Sequence, residues 1–433
     1  MKERTAVRIM KIYKGNLIFT ETYEAFTAIP GGYVAVGEDG VIQGVYKELP
    51  EELRGIETED FGDKLLIPGF SDCHVHASQL PTIGLGYNLE LIPWLERYTI
   101  PQEAKLADRE YAARVYARFV HELWKYGITR SVVMASNSTE STTILFDDMV
   151  RAGLGGFVGR VCMDYGTPYK EETKVAVDES RRFIQMNLTK SSLVRPIVTP
   201  TLSMVCTREL MTALGKQAEE FGLPVQAHLS ENREEIRVTL EQNPDCADFG
   251  DTYDKAGVFG QMPTVMAHSI HLTEREKQRM IERGILAAHN PHSNLNLLSG
   301  AMKLAEYHDR GIRVGLGSDI AGGHTLNMFA NMVAAIDVGA VHYVNGTYPR
   351  PVTAAEAFYT ATKGGGSFFG KVGSFEPGYA FDALVVDDSE ASLFNQYSLL
   401  ERAERMLYCS DDRHILKRYV KGQLLAEPSC RPE

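Results

Sequence analysis

Eight short apolar runs, separated by stretches with helical spacing, constrain the fold of this chain more than any other feature. Such an alternation is typical of a parallel sheet whose strands are joined by helices. Eight strand and helix units in succession predict a barrel closed on itself. The runs lie at 64–76, 131–136, 157–163, 194–201, 224–232, 264–271, 285–294 and 313–320. Predicted helices between and beside them include 103–126, 208–221 and 274–283, with capping boxes at Thr273-x-x-Glu276 and Thr353-x-x-Glu356.

Both ends of the chain lack this pattern and alternate in the manner of strands. Asp39-Gly40 is spaced as a hairpin turn near the start, and Lys421-Gly422 as a turn near the end. We therefore predict an α/β fold with three segments. Residues 66–374 form a (β/α)8 TIM-type barrel, and residues 1–65 and 375–433 together form a small β-sandwich domain.

Composition limits the classes of function. Apolar residues at 44% and charged residues at 24% are ordinary values for a folded globular protein. The formal net charge of −12 disfavours binding to nucleic acid or to anionic lipid. No run approaches the roughly 18 apolar residues of a membrane span, and the first residues lack the apolar core of a signal peptide. We expect a cytoplasmic protein without nucleic-acid or membrane partners.

Histidines and a carboxylate stand at the ends of several predicted strands, where barrel enzymes assemble their active sites. His74 and His76 are two residues apart, so the period of a strand directs both imidazoles to one side. Within the fifth, sixth and eighth runs, the strands are expected to close at His228, His268 and Asp319. A set of imidazoles and a carboxylate suits zinc or ferrous iron. The alternatives are surface histidines for the pair, a second-shell role for His268 and a helix N-cap for Asp319.

Several longer motifs are similar to those of the amidohydrolase superfamily and, within it, of the guanine deaminase family. This resemblance extends over nearly the whole chain. The matching segments are Pro68-Gly69-Phe70, Ala77-Ser78-Gln79, Pro93-Trp94-Leu95, Gly159-Arg160-Val161-Cys162-Met163-Asp164, His228-Leu229-Ser230-Glu231-Asn232, Ser293-Asn294-Leu295 and Gly317-Ser318-Asp319-Ile320-Ala321-Gly322-Gly323-His324.

The resemblance implies a set of site residues and a cofactor. His74, His76, His228 and Asp319 would bind one Zn²⁺ per chain, with Fe²⁺ as the alternative. The implied catalytic residues are Glu231 as proton shuttle, His268 beside the attacking water, and Asp319. The implied substrate contacts are Gln79, Trp94, Thr201, Leu202, Glu231 and His268. Binuclear relatives carry a lysine at the end of strand four, and the run 194–201 has none there, which predicts a single metal. The resemblance also implies a homodimer.

Deamination chemistry requires the same parts. A divalent metal lowers the pKa of bound water from about 15.7 towards about 7 and so supplies hydroxide at neutral pH. Glu231, three residues beyond His228, could carry the proton from the water to the ring nitrogen and the leaving ammonia. A solvated loop acid is the alternative for this residue.

The expected substrate is a fused N-heterocycle, converted as guanine is to xanthine. Thr201-Leu202 replaces the Arg-Phe of the guanine deaminase pattern, which would hold the exocyclic oxygen and stack on the purine. The alternative is therefore a deaminase of another 2-amino purine or of a pterin. A cyclic-amide hydrolase and a non-catalytic metal-binding subunit are weaker alternatives. His271, His289, His292 and His324 also fall near strand ends, and the sequence leaves their role open.

Overall fold

The structure is a computed structural model that describes residues 9–431. Residues 1–8 and 432–433, the outer ends of the predicted small domain, lie outside the described residues. The strands are β1 (Ile9–Thr22), β2 (Ala25–Gly37), β3 (Ile42–Tyr46), β4 (Thr58–Pro68), β5 (Phe70–His76), β6 (Ile128–Met134), β7 (Gly155–Gly159), β8 (Val161–Cys162), β9 (Val194–Pro196), β10 (Thr199–Pro200), β11 (Val225–Leu229), β12 (Thr264–His268), β13 (Leu286–His289), β14 (Arg313–Leu316), β15 (Ala383–Val386), β16 (Ile415–Val420) and β17 (Gln423–Leu424).

The α-helices follow the predicted alternation with the strands, which confirms a mixed α/β fold. They are α1 (Leu91–Trp94), α2 (Ile100–Ala104), α3 (Arg109–Lys125), α4 (Thr139–Arg151), α5 (Thr173–Asn187), α6 (Arg208–Phe221), α7 (Arg233–Gln242), α8 (Phe249–Lys255), α9 (Glu274–Arg283), α10 (Pro291–Asn296), α11 (Leu304–Asp309), α12 (Met328–Val344), α13 (Ala354–Tyr359) and α14 (Leu399–Cys409). Both predicted capping boxes are confirmed, at the starts of α9 and α13. Across residues 9–431, no helix combines the length and apolarity that a membrane span requires.

The predicted helix 103–126 is wrong as a single element. Helix α2 ends at Ala104, and α3 begins after Asp108, whose side chain accepts hydrogen bonds from the backbone N–H groups of Glu110 and Tyr111. An aspartate in this position satisfies two of the free amide groups at the start of a helix. The break leaves Glu103 in the short helix α2.

Strands from both ends of the chain form one seven-stranded sheet in the order β17-β16-β15-β4-β1-β2-β3. The turns at Asp39-Gly40 and Lys421-Gly422 connect antiparallel pairs, as predicted. The predicted run 64–76 is wrong as a single strand, because β4 ends in this sheet at Pro68 and β5 begins in another at Phe70. Between them, a Cβ on Gly69 would lie 2.4 Å from the side chain of Thr129, so only glycine permits the close approach.

The parallel strands form two four-stranded sheets, β5-β6-β7-β9 and β11-β12-β13-β14, with β8 and β10 paired separately. Backbone hydrogen bonds connect these pieces on both sides. Val198 accepts a bond of 3.0 Å from the N–H of Gln226 next to β10, and the N–H of Asp319 donates one of 2.9 Å to the carbonyl of His74. The carboxyl ends of β5, β11, β12 and β14 therefore lie around one central region.

Candidate active site

The four predicted metal ligands converge in that central region. The Nε2 atom of His76 lies 3.3 Å from that of His74 and 3.2 Å from that of His228. Asp319 brings its Oδ1 to 3.1 Å from His74 Nε2 and 3.4 Å from His76 Nε2. All four residues are buried. The sequence placed them at strand ends, and the fold brings their ligand atoms together.

This donor set fits a divalent metal ion. His228 donates from Nδ1 to the carbonyl of Thr201 at 2.6 Å, which leaves its Nε2 lone pair directed at the other ligand atoms. Burial lowers the pKa of His76 to about 3 and also lowers those of His74 and His228. Neutral imidazoles are the form that binds metal. Several lone pairs crowded in a buried space repel one another unless a cation lies between them.

The backbone at these strand ends is bent out of the strand conformation. Ser230, His268, Ser269 and Asp319 have φ values of 49°, 65°, 51° and 46°. Residues other than glycine rarely adopt the left-handed region, which costs roughly 1–3 kcal/mol at each position and is concentrated at functional sites. The bend at Asp319 is held by its neighbour Ser318, whose N–H and hydroxyl both donate to the buried carboxylate of Asp72.

Glu231 lies beside the ligands and is 1% exposed, so it is not a solvated loop acid. Its Oε1 accepts a hydrogen bond of 2.8 Å from Ser299 Oγ, and its Oε2 lies 3.4 Å from His268 Nε2. Burial raises the pKa of Glu231, while His268 and the hydrogen bond from Ser299 act to lower it. A raised carboxyl pKa is the property that a proton shuttle near neutral pH requires.

His268 lies between two carboxylates. Its Nδ1 is 2.9 Å from Asn294 Oδ1, and its Nε2 is 3.4 Å from Glu231 and 3.6 Å from Asp319. The amide oxygen of Asn294 can only accept, so Nδ1 carries a hydrogen. Burial disfavours charge on His268, but the two carboxylates outweigh this and raise its pKa. The ring is therefore suited to carry a proton on the side that faces the centre.

A cavity of about 650 Å³, counted to its open mouth, leads to these groups. It is lined by each residue that was predicted to contact substrate, which are Gln79, Trp94, Thr201, Leu202, Glu231 and His268. Among the described residues, no lysine or arginine lines it, and Thr201 lies where the family resemblance predicts an arginine.

Residues 65–425 match the amidohydrolase family. The chain belongs to this family. Among curated proteins it is 33% identical to the guanine deaminase of Dictyostelium discoideum over 96% of this chain and 98% of that protein. It is 35% identical to the human guanine deaminase over 86% and 85%.

Comparison with solved structures also finds similarity to a guanine deaminase. The guanine deaminase from C. acetobutylicum, with guanine bound in its active site, superimposes with a TM-score of 0.93 and is 43% identical. The superposition covers 96% of this chain and all of that one. This chain is therefore a hydrolytic deaminase of the amidohydrolase family.

Sequence reasoning missed three groups of this amidohydrolase site. Ser299 supports Glu231, and nothing in its local pattern distinguishes it from other loop serines. Asn294 belongs to the motif Ser293-Asn294-Leu295, which could have indicated its role. Glu103 lines the cavity and accepts hydrogen bonds of 3.0 Å from Ser78 Oγ and Gln79 Nε2, whereas the sequence placed it at the start of a long helix.

The four histidines whose role the sequence left open do not line the cavity of the described chain. His271 supports the site from behind, because its Nε2 bonds the carbonyl of Ser299 at 2.7 Å. His292 and His324 lie against each other, with ring centroids 4.2 Å apart. His289 is fully buried, and burial lowers its pKa to about 3, which makes it a neutral core residue.

Proposed function

We propose that this protein is a guanine deaminase, which adds water to guanine and releases xanthine and ammonia. The observation that carries this proposal is the position of Glu231. It is a buried carboxylate that lines one cavity together with three histidines and Asp319. The named relatives have this activity, and they match nearly the whole chain. They do not favour another 2-amino purine, a pterin, a cyclic amide or a non-catalytic role.

The proposed cofactor is a single Zn²⁺ held by His74, His76, His228 and Asp319, with Fe²⁺ as the alternative ion. Three imidazoles and one carboxylate are a donor set that both ions accept. When bound, the ion would lower the pKa of water and so supply hydroxide as the nucleophile at neutral pH. Thr201, through its carbonyl bond to His228 Nδ1, keeps that ligand in the correct tautomer.

Glu231 carries the proton in this proposal, and His268 stabilises the charge that develops. As water forms the new C–O bond at C2, Glu231 accepts its proton and delivers it to N3, the ring nitrogen that gains electron density. The proton on the attached hydroxyl then passes to the amino group, which leaves as ammonia when the C2–N bond breaks. Ser299 keeps Glu231 ionised before the attack, and His268, held by Asn294, stabilises negative charge on the oxygen.

Purified protein with guanine tests this proposal directly. We expect equal amounts of ammonia and xanthine, and about one equivalent of zinc or iron per chain by elemental analysis. Protein that carries the metal and leaves guanine unchanged would contradict the assigned substrate. Two metal equivalents that both vary with activity would contradict the single-ion site.

We also propose a closed barrel and a separate β-sandwich domain. The hydrogen bonds at Val198 and Asp319 support closure of the two parallel sheets into one (β/α)8 barrel over residues 66–374. Side chains of the seven-stranded sheet and its loops form a separate buried core that includes Tyr13, Phe381 and Tyr419, which supports a two-layered sandwich built from residues 1–65 and 375–433. A homodimer remains a prediction, and its mass in solution would test it.

A further inference from the structure

We propose that Gln79 and Glu103 together bind the lactam edge of guanine, with Gln79 donating to the exocyclic oxygen O6 and Glu103 accepting from N1–H. Glu103 would then be a specificity-determining residue that selects rings with a hydrogen on N1. This inference rests on the proposed function and adds to it. It also explains how a pocket without arginine recognises the oxygen of guanine.

Glu103 has one carboxylate oxygen that no described residue bonds. Its Oε1 accepts hydrogen bonds from Ser78 Oγ and Gln79 Nε2, both at 3.0 Å. No described residue donates a hydrogen bond to its Oε2. Glu103 lines the same cavity as Glu231 and His268. Glu103 is half-buried and lines this cavity, so its second carboxylate oxygen is available to accept a hydrogen bond from a bound ligand.

The side-chain amide of Gln79 has a fixed orientation. Its Oε1 accepts the backbone N–H of Ala321 at 3.2 Å, so the amide nitrogen faces the carboxylate of Glu103. The reverse orientation would set an oxygen against a carboxylate and would leave the Ala321 N–H opposite an NH₂ group. Because an amide nitrogen carries two hydrogens, Nε2 can donate to Glu103 and still donate to a ligand.

Gln79 and Glu103 thus present a donor beside an acceptor. On guanine, the complementary pair is the acceptor O6 beside the donor N1–H. The acceptor and donor pairs of guanine that involve N3, with the 2-amino group or with N9–H, are excluded because N3 receives its proton from Glu231 in the proposed reaction. N1 and N3 flank the reacting carbon C2, so contacts at the two nitrogens hold the ring from both sides.

The test compares two substrates that differ at this edge. Guanine has N1–H and O6, whereas 2-aminopurine has the same amino group but a bare lone pair at N1 and no oxygen. The Glu103→Gln variant keeps an oxygen for Ser78 and Gln79 and presents an NH₂ group to the cavity. We expect it to lower kcat/KM for guanine by about 10–100-fold, the effect of one charge-assisted hydrogen bond. The value for 2-aminopurine should stay the same or rise.

Two matched variants separate recognition from structural support. Glu96→Gln makes the same charge change at an exposed position near the cavity but outside its lining. It should leave kcat/KM unchanged for both substrates. Ser78→Ala removes one hydrogen bond to Glu103 and keeps its charge, so it should not change the ratio of the two kcat/KM values. Metal content and the melting temperature of each variant should match those of the wild type.

Binding without turnover gives a second measurement. Hypoxanthine has the lactam edge but no amino group to lose, and purine has neither. By calorimetry, Glu103→Gln should weaken the binding of hypoxanthine about 10–100-fold and leave the affinity for purine unchanged.

Equal losses for both substrates, or no loss for guanine, would overturn the role of Glu103 while the proposed function stands. A wild-type protein that leaves guanine unchanged would overturn both.

Discussion

Ser299→Ala tests how the protein holds Glu231 in its ionised form. Ser299 Oγ donates a hydrogen bond of 2.8 Å to Glu231 Oε1, and both residues are buried. Burial raises the pKa of Glu231, whereas this bond lowers it. Removal of the hydroxyl therefore raises the pKa further. Since Glu231 must be ionised to accept the proton of water, activity should be lost at a higher pH than in the wild type.

The energy of one hydrogen bond limits the size of this pKa shift. A hydrogen bond from a neutral donor to a charged group contributes about 1.5–3 kcal/mol, and one pKa unit corresponds to about 1.36 kcal/mol. The acid limb of the kcat/KM profile should therefore rise by at most about 1–2 pH units. The assay is ammonia release from guanine over a range of pH, with the metal content of each sample measured alongside.

Ser293→Ala is the matched control. Ser293 is also buried in the same segment, but its hydroxyl has no hydrogen-bond partner among the described residues. The Ser293→Ala variant should therefore leave the acid limb of the kcat/KM profile at its wild-type pH. If Ser299→Ala moved the limb no further than Ser293→Ala does, the hydrogen bond would not control Glu231, and another residue would set the pH dependence.

Other expected outcomes follow from single contacts. Glu231→Gln should retain the metal and reduce turnover by about 10²–10⁴-fold, because it removes only the proton carrier; near-wild-type rates with metal bound would exclude this role. His74→Ala should lose metal by elemental analysis, and full retention would remove it from the ligand set. Thr201→Arg should raise kcat/KM for guanine by at most about 10–100-fold, and a loss would show that the added side chain blocks the ring. Arg130→Met should destabilise the fold by about 3–5 kcal/mol in urea unfolding, because it leaves the buried carboxylate of Asp382, now 2.6 Å from the guanidinium, unpaired; a smaller loss would mean that water reaches the carboxylate.

Predictions from the sequence worked best where neighbours along the chain decide the structure. The period of a strand placed His74 and His76 on one side, and the structure brings their Nε2 atoms to 3.3 Å. The Thr273-x-x-Glu276 spacing predicted the start of α9, because a capping box involves one turn of backbone. The predicted strand boundaries were less accurate. The chain passes from one sheet to another at Gly69, where it lies close to the distant residue Thr129.

By itself, the sequence determined the alternation of strands and helices, the strand ends that carry the predicted ligands, and a threonine at position 201 where the family pattern predicts an arginine. Only the tertiary structure decided the partners of these residues. Ser299 lies 68 residues from Glu231, and Glu103 lies 24 residues from Gln79. Neither pair has a periodic pattern, because contact between distant segments depends on how whole elements pack. Local periodicity reports which face of a strand or helix is buried, whereas the hydrogen-bond partners of a buried polar group depend on the segment that packs against it.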